Sequence, residues 1–208
     1  MASKIDIANR ALSKCGAARI TSFSENSTEA RTISSAYDII RDALLGENLW
    51  TFATKRAQLA TVVSTPLTVN DNVSVVYSKP SDMIKIFFVS DPSATVKVEG
   101  NQILSNVSNL KCLYVYQNDD PGTYFAQFVD AFATRLASEI CFELSQSSKK
   151  ASLLWDDYEK VKLPRAISSD SQQGTPIQPM QDEWLTARSM NGPGFYAAPG
   201  AQVWHPLA

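Results

Sequence analysis

The chain has 208 residues, 19 Lys+Arg against 21 Asp+Glu and a formal net charge of −2. That length suits one large domain or two small ones, and 44% hydrophobic against 19% charged residues is the composition of a folding chain. The near-neutral balance argues against tight non-specific nucleic-acid binding, because no overall surplus of cations exists to displace counterions from phosphate.

Cys15, Cys112 and Cys141 are too few and too widely spaced in sequence for a disulfide framework or a metal knuckle. They are expected to be buried, reduced thiols of a protein folded in a reducing cytoplasm. No run of about 18 apolar residues is present, so no spanning helix is expected. The opening Met1-Ala-Ser-Lys-Ile-Asp6 also lacks the apolar run of a signal peptide, and export by that route is not expected.

A first helix is expected from about Lys4 to Cys15, with Ser3 and Asp6 as a capping box and Gly16 at the C-terminal cap. A turn-rich stretch from Thr21 to Asn26 leads to a second helix capped by Asn26 or Ser27, with Glu29 in its first turn. Ala30, Ile33, Tyr37, Ile40 and Leu44 form its apolar stripe, which ends near Gly46. The middle of the chain then changes character. Val73, Val75 and Tyr77 alternate, Ile84 to Val89 is an apolar run, Val96 and Val98 precede a Glu99-Gly100-Asn101 turn, and Leu113 to Tyr116 continues the pattern. These runs predict a small antiparallel sheet or sandwich. No helical segment interrupts them, which disfavours a parallel α/β sheet.

The helical period returns after Asp119-Asp120-Pro121. Phe125, Phe128, Val129, Phe132, Leu136 and Ile140 make one face of a long helix at the centre of the core. Ser147 or Ser148 starts another with Ala151, Leu154, Tyr158 and Val161 in register, and Pro164 is expected to kink or end it. The fold class is therefore α+β: helices from both chain ends (1–58 and 119–167), a β module inserted at 59–118, and an extended tail over 168–208. That tail is rich in Ser, Gln, Gly and Pro yet carries Trp184, Phe195, Tyr196 and Trp204, so it is expected to dock on a partner surface.

The residues offer little catalytic chemistry. His205 is the one histidine, near the end of the tail, and a surface or interface role suits it better than a triad. Asp119-Asp120 stand before a helix, where capping and the dipole account for them. Asp156 and Asp157 are neighbours on a helix and point about 100° apart. No Gly-rich phosphate loop is present, and metal ligands are not clustered. Neither a cofactor nor a metal is expected. Lys55-Arg56 and Lys149-Lys150 are the adjacent basic pairs, read as solvated faces or subunit contacts.

Taken together, these segments form an ordered set. A helix ending Ala11-Leu-Ser-Lys-Cys-Gly16 is followed by a long helix from Ala30 to Leu45 and by Trp50-Thr-Phe-Ala-Thr-Lys-Arg-Ala-Gln-Leu59. A β insertion with Lys79-Pro-Ser-Asp-Met83, then Phe125-Ala-Gln-Phe-Val-Asp-Ala-Phe-Ala-Thr-Arg-Leu-Ala137, and finally Trp184-Leu-Thr-Ala-Arg188 complete it. In order and spacing, over residues from about 3 to 188, the chain resembles the tail tubular protein A family, the head–tail adaptors of short-tailed bacteriophages. Pro164 departs from that pattern.

The resemblance implies a structural virion protein, not an enzyme. It would form a ring of about twelve copies between the portal and the tail nozzle (tail tubular protein B), with tail fibres as further neighbours. Double-stranded DNA would pass through its channel without specific binding. The protein would be made in the host cytoplasm and reside in the neck of the virion, with no membrane insertion. Trp184, Arg188, Phe195, Tyr196 and Trp204 are the candidate portal or subunit contacts. Two rivals remain: another head-completion or connector protein, and a tail-associated polysaccharide hydrolase. The hydrolase needs two carboxylates about 5–10 Å apart, and Asp82, Asp91, Asp119 and Asp120 are its candidates.

Overall fold

A computed structural model describes residues 2–63 and 72–173 of the chain. The chain divides into two units, Met1–Gln173 and Gly174–Ala208, and the described residues belong to the first. That unit is α+β, with helices contributed from both sides of a strand-rich middle.

Helix α1 (Lys4–Cys15) starts and stops where its sequence says. The Ser3 hydroxyl accepts from the Asp6 N–H while the Asp6 carboxylate accepts from the Ser3 N–H, and Gly16 closes the helix at φ 76°. Helix α2 (Thr28–Glu47) is capped by Ser27, whose hydroxyl accepts from the Ala30 N–H. Its stripe of Ala30, Ile33, Tyr37, Ile40 and Leu44 is buried throughout. Helix α3 (Ala126–Ser145) buries Phe128, Val129, Phe132, Leu136 and Ile140 against both.

Between α2 and α3 run strands β1 (Thr54–Gln58), β2 (Thr61–Val63), β3 (Val75–Ser78), β4 (Met83–Val89), β5 (Val96–Glu99), β6 (Gln102–Ser105) and β7 (Lys111–Tyr116). They form two antiparallel sheets, ordered β1-β7-β4 and β2-β3-β6-β5. Because side chains alternate along a strand, the first sheet serves two cores. Val115, Ile84 and Phe87 join the helical core. Cys112, Tyr114, Ile86 and Val89 face the other way, into a core shared with Tyr77 and Ile103 of the second sheet. The layers are helices, sheet, sheet. Strand β1 begins at Thr54, ahead of the expected border at 59. Thr54-Lys-Arg-Ala-Gln58 has no apolar alternation of its own, and its register is set by β7, with Thr54 opposite Val115 and Gln58 opposite Lys111.

Of the two outcomes expected at Pro164, a kink or an end, the structure excludes the end. After α4 (Ser148–Asp157) the chain widens into a π turn at Tyr158–Lys162, then continues as α5 (Leu163–Ser171). A helical proline lacks an N–H and crowds the carbonyl of residue i−4. Here the Leu163 N–H reaches back to the Tyr158 carbonyl. That wider turn relieves the crowding one step before Pro164, which then occupies the first turn of α5. The helix therefore extends into the segment from 168 onward that was expected to be tail.

An aromatic cluster surrounds Phe128, which has no exposed surface. Its ring centroid lies 5.0 Å from Trp50, 4.7 Å from Phe52 and 5.0 Å from Tyr124. The Trp50 indole N–H donates to the Leu44 carbonyl at 2.9 Å, so this large side chain is buried without an orphaned donor.

Candidate functional site

The candidate contact residues Trp184, Arg188, Phe195, Tyr196 and Trp204 lie outside the described residues, as does His205. The other singled-out side chains can be placed.

Asp82 accepts from Lys55 at 2.6 Å and from the Tyr114 hydroxyl at 3.3 Å. The hydrogen bond and charge of Lys55 outweigh a partial burial that acts the other way, and hold its carboxyl below the ordinary range. Asp91 accepts from the Ser93 hydroxyl and N–H, which also lowers its pKa. Asp120 caps a short 3-10 turn at Pro121–Thr123 by accepting from the Gly122 N–H. Asp119 is no cap. It accepts from Lys4 at 2.6 Å and from the guanidinium of Arg41, because the loop that carries it crosses beside α1 and α2. Asp156 pairs with Lys160 one turn on.

The basic pairs split. Lys55 stands over the Tyr116 ring at 3.9 Å, whereas Arg56 points to the opposite face of the sheet. Lys150 donates to the Cys15 carbonyl at 2.6 Å and so satisfies an orphan acceptor at the end of α1. All three cysteines are buried and free. Packing of α1 on α3 nevertheless makes neighbours of Cys15 and Cys141, which their sequence separation concealed. Burial first, and the Cys141 sulfur second, push the Cys15 thiol up to about 12.

Two surface features were not anticipated. One is an open cleft of about 480 Å³ on the first sheet, beyond the part that the helices cover. Phe88 sits beside Leu113 across the β4–β7 pair, Arg56 beside Leu113 from β1, and Lys111 beside Gln58. Phe88 is 61% exposed.

The other is a convergence of cations on Asp130 of α3. Its Oδ1 accepts from the Arg10 guanidinium at 2.7 Å and lies 3.6 Å from the Lys14 ammonium, while its Oδ2 is 2.8 Å from Lys162. Helices α1 and α3 and the π turn each bring one side of this cluster. Burial alone would raise the Asp130 pKa, but the Lys162 hydrogen bond and the fields of Lys14 and Arg10 prevail and lower it.

The folded carboxyl is thus held below its ordinary 3.8. The cluster's contribution to stability is complete above that value and is lost as pH falls through the lowered folded pKa. Urea unfolding is expected to show Asp130→Asn less stable than the parent by about 1–2 kcal/mol at pH 7. That difference should shrink as pH falls through the lowered folded pKa of Asp130. An unchanged difference across the acid range would show that the carboxylate charge is not what the three cations stabilise.

No protein-family model matches the chain, and no curated protein matches it. Among the described residues no group of three or more His, Cys, Asp or Glu is placed to hold a metal ion, and no helix is long and apolar enough to cross a membrane.

Proposed function

We propose that the chain is a structural virion protein, a head–tail adaptor that assembles into a ring between the portal and the tail nozzle and surrounds the path of DNA. The observation that carries this reading is the ordered set of sequence words from Ala11-Leu-Ser-Lys-Cys-Gly16 to Trp184-Leu-Thr-Ala-Arg188. The α+β architecture is compatible with it: helices from both sides of the strand-rich middle in sequence form one layer, against which the inserted strand region packs. A ring of identical subunits also needs two different apolar faces per copy. Ile39, Phe142 and Leu153 on the helices and Phe88 and Val98 on the strands are large apolar side chains more than half exposed in the single chain. The carboxylates of the hydrolase reading have structural partners, and Asp82 and Asp91 are held ionised, which makes them poor general acids. In this reading the helical part builds the ring wall, the portal and nozzle are the partners, and the segment after 190 docks on the portal.

Mass photometry of the purified protein tests the ring. A species of about 274 kDa, twelve times the 22.8 kDa chain, is expected. A chain that stays monomeric alone and also fails to join purified portal rings would sink the reading. Deletion of residues 190–208 is expected to leave a folded protein that no longer joins the portal; retained assembly would refute the docking role of Phe195, Tyr196 and Trp204.

A further inference from the structure

The cluster around Asp130 carries more positive charge than its own carboxylate neutralises. Arg10 from α1, Lys162 from the π turn and Arg165 from α5 line a single cleft of about 260 Å³ with Ala126, Gln127 and Asp130 of α3. Lys14 reaches the same carboxylate from one turn further along α1. Three cations and one acid line the cleft, Lys14 lies 3.6 Å from that acid, and the next carboxylate, Asp6, shares the adjoining cleft with Arg10.

Packing alone does not require this surplus. A network that only fastened α1, α3 and the π turn together would be served by one or two cations on Asp130, because each further like charge adds repulsion. The donors are also only partly used. Arg10 gives one of its five N–H donors to Asp130. Arg165 is exposed and makes no ion pair or hydrogen bond among the described residues. The first turn of α3 adds to the field in the cleft, since Phe125 supplies no side-chain cap and no acidic residue follows it there.

Both the charge and the arrangement of donors select a ligand class. Arginine and lysine side chains from α1, the π turn and α5 line the cleft together with Gln127 of α3, so donors are offered from four separate elements. A tetrahedral oxyanion presents oxygens in several directions and meets such a set, whereas a planar carboxylate meets only part of it. We infer that this cleft is a phosphate-binding site. The shared chemistry is a phosphate group, whether from a nucleic-acid backbone or free in solution. The inference stands independently of the adaptor reading. It is also consistent with a net charge of −2, because a local surplus gives one phosphate contact and not the broad cationic surface that tight nucleic-acid binding needs.

The test uses the full chain at low salt with two probes, inorganic phosphate followed by calorimetry and a labelled duplex of about 20 base pairs followed by anisotropy. Arg165→Ala removes a cation that holds no partner among the described residues, so its thermal unfolding should match the parent. It is expected to weaken binding about tenfold and to lower the salt slope of duplex binding by about one. Arg56→Ala, an exposed cation on the first sheet, should leave both probes unaffected. Loss with both probes, or with either one alone, supports the site and identifies backbone or free phosphate as the source. No binding of either probe, an unchanged Arg165→Ala, or an equal loss in Arg56→Ala would overturn it. Displacement of the duplex by hexaglutamate as effectively as by phosphate would overturn it too, by assigning the cleft to an acidic peptide.

Discussion

Phe128→Ala is expected to lower the stability of the described unit by about 3–5 kcal/mol, in the range found for aromatic truncation inside close-packed cores. The residue has no exposed surface, and the rings of Trp50, Phe52 and Tyr124 all lie within 5.0 Å of its centroid. Those neighbours come from the loop after α2 and the loop before α3, both tied to strands. The ring therefore joins the two ends of the helical layer at the point where the β region is inserted. They cannot collapse into the space left, because the Trp50 indole is held on the Leu44 carbonyl and the Tyr124 hydroxyl on the Asn118 carbonyl. A matched control lies on the same helix. Phe142 is 59% exposed, and Phe142→Ala should change monomer stability by no more than about 0.5 kcal/mol. Thermal unfolding followed by circular dichroism should show a fall of roughly 6–20 °C for the first variant and almost none for the second. Equal shifts would show that the aromatic cluster is not what holds the layer together.

That cluster was partly legible in the sequence, and the reason is local. Phe125, Phe128 and Phe132 recur at helical spacing, so a buried face was evident, and the capping signals of Ser3, Asp6, Gly16 and Ser27 fixed helix ends through interactions within one turn. The strand-rich middle was legible from alternation. Legibility failed where the partner is remote. Thr54–Gln58 became a strand because β7 pairs with it, which its own residues do not signal. Asp119 was read as a cap because helix starts favour Asp, yet its partners are Lys4 and Arg41. Asp130 carries no local signal for its role, because its partner Arg10 is 120 positions away. Pro164 was judged by the rule for a regular helix, and a π turn just before it changed the geometry to which that rule applies. The aromatic tail, chosen for its composition, lies outside the described residues.

The second large effect is expected at Arg41, whose side chain is 3% exposed. Its Nε donates to Asp42 at 2.9 Å and its Nη1 to Asp38 at 2.7 Å, with Asp119 as third partner. Burial pulls the guanidinium pKa down, but the three carboxylates more than compensate and the net shift is upward. Asp119 also pairs with Lys4 and Asp42 accepts from the Gln117 amide, so α1, α2 and the loop from β7 to α3 meet at this one cation. Arg41→Met keeps much of the apolar stem but leaves three carboxylates facing one another with only Lys4 among them, and should cost about 2–4 kcal/mol. The reverse changes should be far milder. Asp38 and Asp119 are 66% and 61% exposed, so each returns to water, and Arg41 keeps two partners when one is lost. Asp38→Asn should cost less than about 0.5 kcal/mol. Asp119→Asn also releases Lys4 and should cost about 1 kcal/mol. The asymmetry is the test. If Asp38→Asn proves as damaging as Arg41→Met in urea unfolding, the cluster is a single indispensable pair and not a buried cation shared among three exchangeable acids.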